Sequence, residues 1–147
     1  MKKVSEVVFE EEAAADTQKT ASENKKNEGM FVGMSIFDCP SSLLSDSSFL
    51  GTMIQRIVEG IGMTPVKKSM AFYHFPIMVK EKPCGEYGIS GGCILVESHV
   101  YLHTWPERGF MRLEISSCKP VSVFNATKVI KIFLGRNICV KTEAVDW

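Results

Sequence analysis

The strongest structural signal in the sequence is a partial alternation of apolar and polar residues from Ile94 to Trp105. The run is rich in β-branched and aromatic residues, so it predicts one strand, or two strands that meet near Ser98. The turn-forming run Pro106-Glu107-Arg108-Gly109 separates it from another strand-like segment, Met111 to Ser116. Because such short turns join antiparallel strands, these segments predict an antiparallel sheet.

The rest of the folded part shows further strand patterns and two helix patterns. Strands are predicted at Phe31 to Phe37, in the Met63 to Tyr73 region, at Gly91 to Val96, at His99 to Trp105 and at Asn137 to Val145, with a loop at Pro76 to Tyr87. One helix is predicted after the cap Asp46-Ser47-Ser48, up to Gly60, and another is capped by Asn125 and ends before Gly135. This order indicates an α+β fold, a two-layer sandwich in which two helices cover one face of a mainly antiparallel sheet.

A sheet with helices on one side leaves its other face to be buried. Alternating residues such as Ile94, Val96, Val100 and Leu102 supply apolar groups that a helix layer alone would not cover. We therefore expect the chain to dimerise through the open face of the sheet.

The one clear change in composition lies near Asn27 to Met30. Upstream, Ser5 to Asn27 is rich in Glu, Ala, Lys, Ser and Thr, and has few bulky apolar residues. Such a segment buries little surface, so residues 1–29 are predicted to be a disordered or marginally helical tail. The alternative is a partner-binding or targeting segment. Residues 30–147 are predicted to form one domain.

Composition and charge indicate a small intracellular protein. The chain has 147 residues, of which 45% are hydrophobic, enough for one core. With 17 basic and 17 acidic residues there is no electrostatic signature of a partner nucleic acid or an anionic membrane. No apolar run approaches the length of a spanning helix. The five cysteines are scattered and odd in number, which argues against a metal site or a disulfide framework and predicts a cytoplasmic location.

The bond between Glu97 and Ser98 suits a self-modification. A serine hydroxyl that attacks the preceding carbonyl converts the peptide into an ester, provided that a neighbouring group manages the proton and the backbone is strained. If a base then removes the Ser98 α-proton, the upstream chain leaves as a carboxylate, and the serine remnant becomes dehydroalanine and then a pyruvoyl group. This ketone condenses with a substrate amine and withdraws electrons, as decarboxylation requires.

Strand geometry constrains which residues can assist Ser98. In a two-residue period, His99, Tyr101 and His103 point to one face while Ser98, Val100 and Leu102 point to the other. A bend or bulge at Ser98 is therefore needed to bring His103 near it. On these residues alone, the alternative remains open that Ser98 is an ordinary strand hydroxyl and that both histidines are satisfied by backbone carbonyls.

The strings GISGGCILVESHVYLHTWPERGF and LEISSC resemble, in order and in spacing, the self-processing, pyruvoyl-dependent S-adenosylmethionine decarboxylases of the short prokaryotic type. The resemblance is densest from Gly88 to Cys118, and it extends more loosely over Gly29 to Pro76 and Val121 to Val145. It implies that the chain decarboxylates S-adenosylmethionine and so supplies the aminopropyl donor for spermidine synthesis. It also implies a pyruvoyl cofactor made from Ser98 and a homodimer of processed protomers with sites near the interface.

The resemblance assigns roles to individual residues. Cleavage between Glu97 and Ser98 would yield a β chain, 1–97, and an α chain, 98–147. His103 matches the base of processing, Ser90 matches a serine that assists it, and Cys118 matches the cysteine that returns a proton to the α-carbon after carbon dioxide leaves. Ser90 also fits a turn serine that bonds its own backbone.

Substrate recognition is less constrained. Glu107 and Glu114 are candidates to bind the substrate's ribose or ammonium group. Candidate platforms for the adenine are aromatic: Phe31, Phe37, Tyr73, Phe75, Trp105 and Phe110. The chain departs from the family pattern at Ser35 and in Ser116-Ser117-Cys118-Lys119. These departures concern substrate recognition, so a pyruvoyl-dependent decarboxylase of another amino acid such as arginine or ornithine is one alternative. An unprocessed, inactive regulatory homologue is the other, although all the processing residues are present.

Overall fold

The structure, a computed structural model, describes residues 29–147 and the backbone of Ser5–Val8. Its elements in chain order are β1 (Ser5–Val8), β2 (Met30–Phe37), α1 (Ser41–Leu44), α2 (Ser47–Gly60), β3 (Ala71–Val79), β4 (Lys82–Leu95), β5 (Ser98–Trp105), a 3₁₀ turn (Pro106–Arg108), β6 (Phe110–Ser117), α3 (Val123–Leu134) and β7 (Cys139–Asp146). The strands form one seven-stranded sheet in the order β1-β7-β2-β6-β5-β4-β3. Every ladder is antiparallel, so the predicted α+β class is confirmed.

Strand β1 lies within the segment that was predicted to be disordered or marginally helical, and it pairs with β7 at the edge of the sheet. The remainder of the predicted tail, residues 1–4 and 9–28, lies outside the described residues. The prediction for that part therefore stays a prediction.

Helices α2 and α3 cover one face of the sheet. Alternate strand residues such as Met34, Leu113 and Ile115 are fully buried there with Leu50 and Ile54 of α2. Burying each of these side chains contributes about 1.5–3 kcal/mol to the free energy of unfolding. The helix layer therefore fixes which strand positions face the core, and the intervening positions form what we call the open face.

Val100 and Leu102 are on the helix side of the sheet, at 0% and 4% exposure, so the expectation that they line the open face is wrong. Their positions on β5 alternate with His99, Tyr101 and His103, which lie on the open face as the two-residue period predicts. Ile94 and Val96 are exposed, at 48% and 71%. Val100 and Leu102 thus belong to the core on the helix side and do not contribute to the open face.

The β3–β4 hairpin replaces the predicted strand in the Met63 to Tyr73 region and the predicted loop at Pro76 to Tyr87. Its turn residues, Lys80 and Glu81, have φ of 49° and 63°, conformations that usually require Asn or Gly. Because neither residue is a typical turn former, the sequence carried no hairpin signal. Pro76 is tolerated because it lies at a bulge on the edge strand β3.

The two long helices begin at side-chain caps. Asp46 accepts a hydrogen bond from the Phe49 N–H at the start of α2, as predicted. The cap of α3 is Ser122, and the prediction of Asn125 is wrong: Asn125 Nδ2 instead donates to the Gly60 carbonyl at the end of α2. Neither helix, nor any other in the described part of the chain, is long and apolar enough to cross a membrane.

Candidate active site

The turn between β4 and β5 holds the predicted cleavage site. Val96 and Glu97 form this two-residue turn, and Leu95 and Ser98 close it as the last strand pair. A Val-Glu pair lacks the residues that favour tight hairpins, so contacts from outside the turn hold it in place. The Val96 N–H donates to the Thr64 carbonyl at 2.9 Å, and the Cys118 N–H donates to the Glu97 carbonyl at 2.9 Å.

Ser98 has a φ of 152°, in a region that residues with a side chain rarely adopt. Such a conformation costs on the order of 1–3 kcal/mol and persists only where surrounding contacts enforce it. The strain lies on the residue that follows the scissile bond. Ser98 Oγ lies within hydrogen-bond distance of His99 Nδ1, at 3.3 Å.

The Glu97 side chain is buried beneath the turn, with 5% of its surface exposed. One carboxylate oxygen accepts a hydrogen bond from the Thr64 N–H at 3.0 Å, and the other lies 3.5 Å from the Lys119 ammonium. The Thr64 hydrogen bond is the main cause that lowers the pKa of Glu97, and Lys119 lowers it further against the opposing effect of burial. Glu97 is therefore ionised and anchored at neutral pH.

Cys118 follows directly after β6, beside Ser98 in the neighbouring strand, since Ser98 pairs with Ser117. Its thiol is exposed. The structure thus places the predicted proton donor next to the predicted pyruvoyl precursor. The Cys118 N–H donates to the Glu97 carbonyl oxygen at 2.9 Å, so it can stabilise negative charge that develops on that oxygen.

Ser90 and His103 form a second cluster on the open face, as directly paired residues of β4 and β5. Ser90 Oγ hydrogen-bonds to His103 Nδ1, so the alternative of a turn serine bonded to its own backbone is wrong. The imidazole lies between Trp105 and Phe75, with ring centroids 4.2 and 5.7 Å away. Partial burial lowers the pKa of His103, an effect that Glu86 partly offsets, so the ring is neutral at pH 7 and can accept a proton.

The two clusters lie at opposite ends of β5. His103 is five residues beyond Ser98, which at a strand rise of about 3.3 Å per residue separates them by about 16 Å. The expected bulge that would bring His103 to Ser98 is absent, because β5 pairs in continuous register with β4 and β6 from Ser98 onward. Within one chain, the described geometry unites Ser98 with Cys118 and Ser90 with His103, and keeps the two pairs apart.

A shallow pocket of about 190 Å³ opens beside His103. Its lining residues come from β5 and β6: Tyr101, Leu102, His103, Trp105, Arg112 and Glu114. Glu114 is therefore in position to contact a ligand there, whereas Glu107 lies exposed in the 3₁₀ turn outside the pocket. The candidate aromatic platforms extend from this pocket along the open face, since Trp105 stacks on Phe110 and Phe110 stacks on Phe37.

Three residues of this region were missed by the sequence reasoning. Arg112 lies on the open face, where its guanidinium hydrogen-bonds Ser35 and approaches Glu114 and Glu143 within 3.6 Å. Its alternation with Glu114 in the β6 sequence was an available signal. Thr64 and Lys119 act through contacts with Glu97 from distant segments, and no local pattern identifies such contacts. Among the described residues, no group of three His, Cys, Asp or Glu is arranged to hold a metal ion.

Comparisons with known proteins identify one family. The family model described as S-adenosylmethionine decarboxylase matches residues 32–145. A Clostridium botulinum protein named S-adenosylmethionine decarboxylase proenzyme is 25% identical over 120 residues, covering 82% of this chain and 91% of the relative. A Methanococcus maripaludis protein of the same name is 28% identical over 122 residues, with coverage of 82% and 88%.

A shorter match and a solved structure complete the comparison. An Acidithiobacillus ferrooxidans protein of the same name is 32% identical over 82 residues, 56% of this chain and 53% of the relative. The crystal structure of the adenosylmethionine decarboxylase from Aquifex aeolicus superposes with a TM-score of 0.61 at 20% identity, covering 80% of this chain and 90% of that one. At this identity the superposition shows a shared fold.

Proposed function

The chain belongs to the S-adenosylmethionine decarboxylase family, and we propose that it becomes active by cleaving its own backbone between Glu97 and Ser98. It is an S-adenosylmethionine decarboxylase, the enzyme class whose product donates the aminopropyl group in spermidine synthesis. The observation that carries the proposal is the strained Ser98 backbone combined with a Glu97 carbonyl that already accepts a hydrogen bond from the Cys118 N–H. The word proenzyme in the names of the relatives supports the same conclusion.

The first step of processing follows from this geometry. Ser98 Oγ attacks the Glu97 carbonyl carbon, and the developing negative charge on the carbonyl oxygen is stabilised by the Cys118 N–H. The proton lost by Ser98 Oγ is transferred to the Ser98 nitrogen, the bond between the Glu97 carbonyl carbon and that nitrogen breaks, and the result is a free amine and an ester between Glu97 and the Ser98 side chain. Relief of the unusual φ at Ser98 favours this rearrangement.

The second step breaks the ester. A neutral imidazole, assigned to His103 with Ser90 hydrogen-bonded to it, removes the Ser98 α-proton. The electron pair forms a double bond to the β-carbon as the bond from that carbon to Oγ breaks, so the upstream chain leaves with a C-terminal carboxylate on the Glu97 backbone and dehydroalanine remains at position 98. Addition of water and loss of ammonia convert this residue into the pyruvoyl group, which is the covalent cofactor of the enzyme.

The pyruvoyl group supplies an electron-withdrawing carbonyl next to the substrate carbon that loses carbon dioxide. The chain's own residues complete the site. Cys118, adjacent to position 98, returns a proton to the substrate carbon, and its exposed thiol can be recharged from solvent. The pocket beside His103 offers Glu114 and the aromatic row that includes Trp105 for binding the substrate.

The separation of the two clusters supports a homodimer. His103 lies about 16 Å from Ser98 of its own chain, too far for proton transfer. A second protomer that packs its open face on the first, with the two β5 strands antiparallel, places the partner's His103 and the partner's Ser90 over the end of β5 that begins with Ser98. By two-fold symmetry the same contact forms twice, so the dimer contains two complete sites. The axis passes near Tyr101, which projects from the open face midway between the clusters with 44% exposure.

The fragments stay together after cleavage because their strands interleave. The β chain, 1–97, contributes β1 to β4, and the α chain, 98–147, contributes β5 to β7. In the sheet order, β2 of the β chain lies between β7 and β6 of the α chain. Separation of the two fragments would require the central ladders to be broken.

Denaturing mass spectrometry tests self-cleavage directly. We expect two fragments that meet at Glu97, the second beginning with a pyruvoyl group, and a Ser98→Ala chain that stays intact and inactive. A wild-type chain that remains a single polypeptide after long incubation would favour the inactive regulatory homologue. Release of labelled carbon dioxide from S-adenosylmethionine is expected, and release from arginine or ornithine alone would identify a different substrate.

We also propose that the enzyme works in the cytoplasm. The five cysteines are all free, and Cys118 must remain a thiol to donate its proton. Fractionation of the cells that express the protein tests this location.

A further inference from the structure

We infer that Lys119 and the Thr64 N–H position the scissile peptide for self-cleavage by holding the buried Glu97 carboxylate from two sides. The inference rests on the proposed self-cleavage and adds to it two groups that touch none of the reacting atoms. They are positioning groups, since they act through the Glu97 side chain.

The conformation of Ser98 depends on contacts on both sides of the residue. Val96 and Glu97 are not residue types that form a tight hairpin unaided. Of the three residues from Val96 to Ser98, only Ser98 has an unusual backbone angle, with φ of 152°. Strain of this kind relaxes unless both sides of the residue are held. On the C-terminal side, Ser98 is held by the β5 ladders. On the N-terminal side, it is held through Glu97.

Three contacts hold Glu97 in place. Its side-chain carboxylate accepts a hydrogen bond from the Thr64 N–H at 3.0 Å and lies 3.5 Å from the Lys119 ammonium. Its backbone carbonyl accepts a hydrogen bond from the Cys118 N–H at 2.9 Å. A buried carboxylate with these partners is fixed in orientation, and so is the carbonyl of the same residue. Release of the side chain would let the carbonyl turn away from the Cys118 N–H and from Ser98 Oγ.

The two positioning groups come from different products of the proposed cleavage. Thr64 belongs to the segment after α2, whose neighbour Pro65 bridges to Leu95, and this whole segment stays with Glu97 in the β chain. Lys119 belongs to the future α chain, in the part of the sequence that departs from the family pattern around the cysteine. The Lys119–Glu97 ion pair therefore spans the two products, and it links the carboxylate to the strand that carries Cys118.

The test is the rate of self-cleavage of full-length chain made by cell-free translation, followed on denaturing gels. Because Lys119 is 61% exposed, we expect Lys119→Met to slow cleavage by about fivefold, the size of effect that a solvent-screened ion pair can produce. Lys119→Arg keeps the charge and should cleave near the wild-type rate. Lys128→Met, which removes an exposed lysine of α3, is the matched control and should leave the rate unchanged.

A double-mutant cycle separates the ion pair from a general loss of stability. Glu97→Gln preserves an acceptor for the Thr64 N–H and removes the charge, so it should slow cleavage about as much as Lys119→Met. The double variant should then be no slower than either single variant. Thermal unfolding of the same substitutions in a Ser98→Ala background reports any change in folding separately from cleavage.

The outcomes are distinct. A wild-type rate for Lys119→Met, an equally slow Lys119→Arg, or additive losses in the double variant would overturn the inference while the proposed function stands. A wild-type chain that never cleaves would overturn both. The positioning role is supported if Lys119→Met cleaves slowly, Lys119→Arg cleaves near the wild-type rate, and the rate losses of Lys119→Met and Glu97→Gln are not additive.

Discussion

Cys118 contributes two different groups to the proposed site, a backbone N–H on the Glu97 carbonyl and a thiol beside Ser98. Substitution to alanine removes only the thiol. We predict that Cys118→Ala still cleaves at Glu97, because the N–H remains, and that carbon dioxide release falls about 100-fold, as expected for the loss of a general acid. Mass spectrometry and a labelled-substrate assay measure the two effects. Full activity in this variant would remove Cys118 from the mechanism.

His103 predicts the pH dependence of processing. Partial burial lowers its pKa below the ordinary value of 6.5, so the imidazole stays neutral, and able to accept a proton, to a lower pH than a free imidazole does. We predict that the cleavage rate is constant near pH 7 to 8 and declines with acidification, with a midpoint below pH 6.5. Chains translated in vitro and shifted to a series of pH values provide the profile. A midpoint above pH 7 would contradict a neutral His103 as the base.

At the level of elements, the start of α2 depends on one side chain. Asp46 accepts the Phe49 N–H at 3.0 Å, and α2 buries much of the helix side of the core. Asp46→Ala should lower the free energy of unfolding by about 1 kcal/mol. Urea unfolding in a Ser98→Ala background, where the chain stays in one piece, measures this change. Gln55→Ala, on the exposed side of the same helix, is the control and should change stability by less than about 0.5 kcal/mol.

The elements also show where sequence patterns succeed. Strands β2, β5, β6 and β7 and both long helices were predicted close to their observed bounds, because alternation and helical spacing reflect which side of each element is buried. The β3–β4 hairpin was missed since its turn uses Lys80 and Glu81 in conformations that side chains rarely adopt. Pairing between the strands enforces that turn, and pairing is not a local property.

At the level of the whole molecule, the proposed site shared between two protomers predicts complementation between inactive chains. A Ser98→Ala chain retains His103, and a His103→Ala chain retains Ser98, so a mixed dimer contains one complete processing site. We predict that co-expression of the two, with different tags, produces cleavage of the His103→Ala chain, which neither chain shows alone. Pull-down through one tag verifies that mixed dimers form. Mixed dimers without cleavage would contradict a site built from two protomers.

The proposed two-fold axis gives an independent prediction. Tyr101 is exposed on the open face, where the proposed axis passes, so Tyr101→Glu is expected to bring two like charges opposite one another. We expect a monomer by size-exclusion chromatography and loss of cleavage. Ile132→Glu, on the exposed side of α3 at 70% exposure, should leave the dimer and cleavage unchanged. A dimeric Tyr101→Glu chain that cleaves normally would place the interface elsewhere.

The sequence by itself determined the fold class, since strand alternation and helix periodicity are properties of near neighbours in the chain. Through the family resemblance it also predicted Ser90, Ser98, His103 and Cys118 as the reactive residues. Only the tertiary structure decided how those residues are grouped. Continuous register along β5 keeps His103 about 16 Å from Ser98. Contacts from Thr64 and Lys119 to Glu97 hold the turn between β4 and β5. Register and side-chain contacts between distant segments depend on how the whole sheet packs, and no short stretch of sequence encodes them.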